Sequence, residues 1–185
     1  MTGTGHNNGP ELDGPIAWRR FAWTKARADL LPTLPIEVVR LRVMRAQELG
    51  LPYRTYAGIR AHTGRDVIGF LFSSNALAVL RVGQAMAQDR RDRLAGLIGT
   101  DRTGVVHLPL DPAAFVPPLD AAVIAPRFTD TWSAMRDQIA ATIRARGLPA
   151  DACLLVGETA FERDWAQAGR MAGFLSGAHY FAKQG

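Results

Sequence analysis

Arg65 to Arg81 reads RDVIGFLFSSNALAVLR, and the reading of its middle decides the fold. Val67 to Phe72 is a short apolar run of strand-forming residues, interrupted by Ser73, Ser74 and Asn75. Ala76 to Leu80 then restart as good helix formers. Short apolar runs bounded by polar turn residues read as strands buried on both faces. The following segment is expected to be helical to about Ile98, with a bend at Gly83 and an exposed, charged second half from Gln88 to Arg93. A strand that ends in Ser-Ser-Asn and turns into a helix collects capping side chains and free backbone N–H groups at one spot. Such a spot favours anions, from a carboxylate to a phosphate. Ser73, Ser74 and Asn75 are therefore candidate ligand-binding residues.

Working outward toward the C-terminus, the chain alternates. Gly104 to Leu110 reads as a strand, Asp111 to Leu119 as a loop with three prolines, and Ala121 to Ala125 as another short strand. Thr129 or Asp130 can cap a helix running to Arg146, with Gly147 at its C-terminal position. Ala152 to Val156 is apolar and strand-like. Gly157-Glu158-Thr159 turns, Phe161 to Ala172 is helical, Gly173 closes that helix, and Phe174 to Phe181 is expected as a final strand. This alternation gives an α/β domain over 65–185 with a mainly parallel sheet of four or five strands flanked by helices. Parallel strands present their C-terminal ends together, so the turn at 73–75 and the turn at 157–159 should share one edge of the sheet. Glu158 and Thr159 join the ligand-binding candidates on that ground.

The first third differs. Met1 to Gly14 is Gly-, Thr-, Asn- and Pro-rich and reads as a disordered tail. An Arg-rich helical segment is expected over 15–64. Its parts are Ile16 to Leu31 with Trp18, Phe21 and Trp23, an amphipathic helix from Ile36 to Leu49, and a short helix through Tyr53, Tyr56 and Ile59 ended by Gly64. Residues 1–65 hold 10 Lys+Arg against 5 Asp+Glu, a local charge of 10 − 5 = +5. Residues 66–185 hold 12 of each, so the whole net charge of +5 lies in the first third. A basic segment on a neutral body suits an acidic partner, either nucleic acid or an acidic protein surface.

Several classes drop out. No stretch approaches the roughly 20 apolar residues of a membrane helix, and no apolar core follows a basic start, so neither membrane contact nor a secretory signal is expected. The single cysteine, Cys153, sits in an apolar run, which excludes an internal disulfide framework and fits a reducing cytoplasm. His6, His62, His107 and His179 show no metal-ligand spacing. Gly-x-Gly-x-x-Gly, Gly-Lys-Ser/Thr and Gly-x-Ser-x-Gly patterns are absent, and no cofactor is called for.

Two local patterns resemble known families. Arg45 to Arg60, RAQELGLPYRTYAGIR, resembles the helix-turn-helix of DNA-binding regulators, with Ala46 at the close crossing, Gly50 at the turn, Leu51 after it and Ile59 in the second helix. Tyr56 departs from the compact aliphatic residue usual there. The resemblance implies Arg45, Arg54, Thr55 and Arg60, with Arg19 and Arg20 of the preceding helix, as contacts to phosphates or base edges. The same residues also fit a plain helical hairpin packed on the sheet. Gly157 to Phe174, GETAFERDWAQAGRMAGF, resembles the last acidic motif of haloacid-dehalogenase-like phosphohydrolases, through Glu158, Glu162 and the Gly169-Arg170-x-Ala172-Gly173 end. That resemblance implies Glu158 and Glu162 as magnesium ligands and Ser73 or Ser74 as the phosphate-binding hydroxyl. The family's apolar strand followed by Asp-x-Asp has no counterpart, because the sequence contains no Asp-x-Asp. An acidic first helical turn complementing the helix dipole is the other reading of Glu158 and Glu162.

The expectation is a non-catalytic binding protein, with basic helices on nucleic acid and an α/β domain that takes a partner or a small anionic ligand. The alternatives are a magnesium-dependent phosphohydrolase and a protein-interaction or assembly factor.

Overall fold

In the computed structural model, which describes residues 34–182, the apolar run of the opening stretch becomes the central strand of a parallel sheet. The expected tail and the expected helix over 16–31, with Arg19 and Arg20, lie outside the described residues. Arg40–Gly185 forms one compact unit, and the contacts described below lie within it.

Strands β1 (Gly69–Ser73), β2 (Asp101–Val106), β3 (Ala121–Ile124), β4 (Cys153–Gly157) and β5 (Gly173–Ser176) are all parallel, in the order β3-β2-β1-β4-β5. β1 and β4 are buried along their whole length, as continuous apolar runs require. Strand alternation sends Phe70 and Phe72 to one face and Leu71 to the other. The first face is covered by α1 (Ile36–Glu48), α2 (Tyr53–Thr63), α3 (Gln88–Ala95) and the short α6 (Gly177–Tyr180), through Ala46, Leu49, Tyr56, Leu94 and Tyr180. The second is covered by α4 (Trp132–Ala145) and α5 (Ala160–Ala168), through Met135, Ile139, Ile143 and Trp165. Each fully buried aromatic or aliphatic side chain contributes roughly 1.5–3 kcal/mol.

The chain builds outward from β1 through β2 to β3, then crosses the second face and returns to lay β4 on the other side of β1. The winding therefore reverses between β1 and β4. That switch point leaves a crevice outside the strands' C-terminal ends, where open α/β sheets take their ligands.

Gly50 joins α1 to α2 with a φ of 61°, the left-handed conformation the sequence called for. The cap of α4 falls later than expected, on Thr131 rather than Thr129 or Asp130, and Gly147 follows that helix at a φ of 68°.

Three further expectations are corrected. Ala76 to Ile98 is not one helix. The chain leaves β1 in a single turn, with Leu77 N bonded to Ser73 O and Val79 N to Ser74 O, and Ala78 closes it at a φ of 53°. The Gln84 amide then holds Ala78 O, Leu80 N and Arg81 N, and only Gln88–Ala95 is helical. Local hydrogen bonds and the burial of Leu77 and Val79 override the helix propensity of Ala76 to Leu80. The second correction moves β2 toward the N-terminus. Asp101 and Arg102 pair with Gly69 and Phe70, whereas His107 to Leu110 turns, with Leu110 N on His107 O. The third concerns the end of the chain. α5 ends at Gly169, Gly173 opens β5, and Ser176 then caps α6 by accepting from His179 N, so the final strand is short.

Among the described residues, no helix is long and apolar enough to cross a membrane.

Candidate functional site

Glu162 organises the switch point. It stands on the first turn of α5 with 0% exposure, under the C-terminal ends of β1 and β4. Thr159 and Glu162 form a reciprocal capping box: Thr159 Oγ1 accepts from Glu162 N at 3.1 Å, and Glu162 Oε2 accepts from Thr159 N at 2.9 Å. Oε2 also accepts from Glu158 N at 2.6 Å. Oε1 faces the other strands, accepting from Asn75 Nδ2 at 3.0 Å and lying 2.7 Å from His107 Nε2. The Ser73 hydroxyl adds a further bond to the carboxylate, while Ser73 Oγ itself accepts from Ala76 N at 3.0 Å.

Burial alone would push the Glu162 carboxyl up. The donors outweigh it: His107 first, then the Glu158 and Thr159 amides and Ser73, which together hold its pKa down at about 2. Gly157 makes room for this carboxylate. A Cβ there would stand 3.1 Å from Glu162 Oε2 and 2.8 Å from the Phe174 ring.

The two turns expected at one sheet edge do meet there, through the Asn75–Glu162 bond. Ser74 is fully buried, and its Oγ accepts from His107 N at 3.2 Å, tying the end of β1 to the end of β2. Glu158 is exposed, with Oε1 packed so closely on Gly177 that a Cβ there would lie 2.5 Å away.

Magnesium does not fit this arrangement. Both Glu162 oxygens are occupied by donors of the chain, leaving no acceptor turned outward. Among the described residues, no group of three or more His, Cys, Asp and Glu side chains converges on a possible ion position.

Beside this cluster opens a cleft of about 390 Å³, with Asn75, His107 and Thr159 toward the switch point and Arg127, Phe128 and Phe161 toward solvent. Its aromatic wall continues inward. Phe128 meets Phe161 edge-on at 5.5 Å, Phe161 meets Trp165 at 5.5 Å, and Trp165 lies 5.2 Å from the His107 ring. Arg127 N is bonded to Asp130, but the guanidinium has no partner among the described residues.

The sequence reading missed His107, Arg127, Phe128 and Phe161. His107 had one usable signal, its place directly after the apolar Val105-Val106 end of a parallel strand. The other residues come from the loop after β3 and the start of α5, which only the strand order brings together.

The basic helices divide by role. Arg45 is an internal tie: its guanidinium donates to Asp66 Oδ2 at 2.9 Å, Glu48 Oε2 at 2.8 Å and the carbonyls of Val67, Ile98 and Gly99. Arg60 lies against the Tyr56 hydroxyl and 3.8 Å from Asp66, and Tyr56 donates to Asp66 at 2.9 Å. Tyr56, the departure from the helix-turn-helix pattern, is thus a buried anchor. Arg54 is exposed and Thr55 half-buried beside it.

No family model matches the chain, and neither the curated proteins nor the solved structures contain a significant match.

Proposed function

We propose that the chain is a non-catalytic binding protein whose α/β body takes a small anionic ligand in the cleft at the switch point, with the basic helices offering a second contact to nucleic acid. The observation that carries this reading is Glu162, whose carboxylate is consumed by donors of its own chain. Glu162 is, in effect, the resident anion of the strand-end cradle. It stabilises the turns and is not itself left free as a base, nucleophile or metal ligand.

The resemblance to haloacid-dehalogenase-like proteins points the same way. β1 is an apolar strand beside the strand that carries Gly157, Glu158 and Glu162. The chain has no Asp-x-Asp anywhere, and β1 runs into Ser73-Ser74-Asn75. A hydroxyl and an amide there supply no carboxylate for a phospho-aspartate. Asp111, the acid nearest in sequence to the end of β2, caps a 3-10 turn at Ala113 N and lines a separate groove with Val79 and Arg81. The anionic preference of the cleft is supported by its lining, which includes the Arg127 guanidinium and no Asp or Glu.

The test is a paired assay. With magnesium and p-nitrophenyl phosphate the protein should show no turnover above a protein-free control. Acetate and inorganic phosphate should bind weakly but saturably by calorimetry, and less so in Arg127→Gln. Turnover abolished by Asp111→Asn or Glu162→Gln would overturn the reading.

A further inference from the structure

Phe128 keeps 84% of its surface exposed even though its ring meets Phe161 edge-on at 5.5 Å. Single exposed apolar residues are ordinary. This one, however, stands at the mouth of a cleft and continues a run of rings that ends at His107. Beside it is a guanidinium that no described side chain neutralises, and His107 has Nε2 committed to Glu162, which leaves Nδ1 as the ring nitrogen available to a ligand.

Resting on the binding reading above, we propose that the cleft is a site for a planar aromatic acid, its ring against Phe128 and Phe161 and its anionic group on Arg127. The amides of Glu158 and Thr159 do not compete for that group, because both are already taken by Glu162. The incoming anion is therefore set at the Arg127 guanidinium, beside the aromatic wall. Offset or edge-on contact with such a wall is worth about 0.5–1.5 kcal/mol beyond area burial, roughly 2- to 12-fold in affinity. Phe128 is then the residue that selects ring-bearing ligands, and Arg127 the one that selects charge. A carboxylate and a phosphate satisfy the same guanidinium, and the probes separate them.

The experiment uses the full chain and calorimetry with 2-naphthoate, phenyl phosphate, acetate, inorganic phosphate and the neutral 2-naphthylmethanol. The ring-bearing acids should bind about tenfold tighter than acetate or inorganic phosphate, and the better of the two identifies the anionic group. Phe128→Ala should weaken the ring-bearing acids about fivefold and leave the ring-free anions unchanged, with the thermal midpoint held as a control for folding. Arg127→Gln should weaken both acids and leave 2-naphthylmethanol unaffected. If acetate and inorganic phosphate bind as tightly as the ring-bearing acids, the aromatic specificity is wrong while the anion-binding function stands. If 2-naphthylmethanol equals 2-naphthoate, or if no probe binds at about 10 mM, the anion-binding function falls and the aromatic acid with it.

Discussion

Arg45 and Glu162 sit beyond opposite ends of β1, and each is a charged side chain surrounded by partners from distant parts of the chain. Arg45 ties α1 to Asp66 and Val67 ahead of the strand and to Ile98 and Gly99 ahead of β2. Glu162 ties α5 to Ser73 and Asn75 after the strand and to His107 after β2. The difference lies in solvent and in the partners' charge. Arg45 keeps 18% of its side chain exposed and meets two carboxylates, Asp66 and Glu48. Glu162 has no exposure and is met by amide and hydroxyl dipoles, with the His107 ring nitrogen at 2.7 Å. A half-wet tie can be replaced in part by water, whereas a dry one cannot. The same number of bonds should therefore matter more at the C-terminal end of the sheet.

The largest effect expected is from Glu162→Ala. It orphans Asn75, His107 and two backbone amides in a dry site and should cost about 3–5 kcal/mol in urea unfolding. Glu162→Gln keeps the shape but turns an NH2 group toward existing donors, and should cost about 2 kcal/mol. The carboxyl also predicts an acid transition. Its folded pKa of about 2 lies below the ordinary value of 4.5, so its stabilisation is fully present above pH 4.5 and declines as the pH falls. It is lost once the pH has passed through about 2, a change on the order of 3 kcal/mol. Urea unfolding at pH 7, 4 and 2.5 should show that loss in the parent and a flatter profile in Glu162→Gln. A parent with constant stability across this range would contradict the dry, donor-saturated carboxylate.

Arg45→Met comes next. It preserves the stem's packing and removes the guanidinium, leaving carbonyls of Val67, Ile98 and Gly99 that water can reach in part. About 1–2 kcal/mol of stability should be lost, measured in the same way. A cost equal to that of Glu162→Ala would erase the distinction between the two ends of β1.

Much of this difference was hidden from the sequence for identifiable reasons. The parallel sheet was legible because Phe70-Leu71-Phe72 and Leu154-Leu155-Val156 are apolar on both faces, which only a strand covered twice requires. The meeting of Asn75 with the Glu158 turn followed from parallel strands ending at one edge. Glu162 was legible as an acid in a first helical turn, but whether it served a ligand or its own chain depended on donors from β1 and β2. Those donors are 87 and 55 residues away, and no local pattern announces them. The internal bonds of Arg45, a candidate nucleic-acid contact by its spacing, were hidden for a similar reason. Spacing on α1 puts it at the helix margin, and only the fold shows that Asp66 and the loop before β2 occupy that margin. The run from Ala76 to Leu80 failed differently. Helix propensity was read correctly, but the Ser73 and Ser74 carbonyls and the Gln84 side chain stop the helix after one turn.

The smallest structural effect is expected at Arg54, and it separates arginines that hold the fold from those that face a partner. Arg54 is exposed on α2, and neither it nor Arg40 or Arg42 has an ion-pair partner among the described residues. Arg54→Ala should change unfolding stability by less than about 0.5 kcal/mol. If the helices contact nucleic acid, binding of a duplex DNA fragment at low salt should weaken, and the dependence of log affinity on log salt should flatten by about one unit, because one phosphate contact no longer releases its counterion. Arg45→Met should behave in the opposite way, losing stability while leaving the salt slope of the folded protein unchanged. Absence of DNA binding at low salt would leave the basic face as a solvated surface and remove nucleic acid from the proposed function. An Arg54→Ala variant that binds as before with the same slope would place the contact elsewhere on the chain.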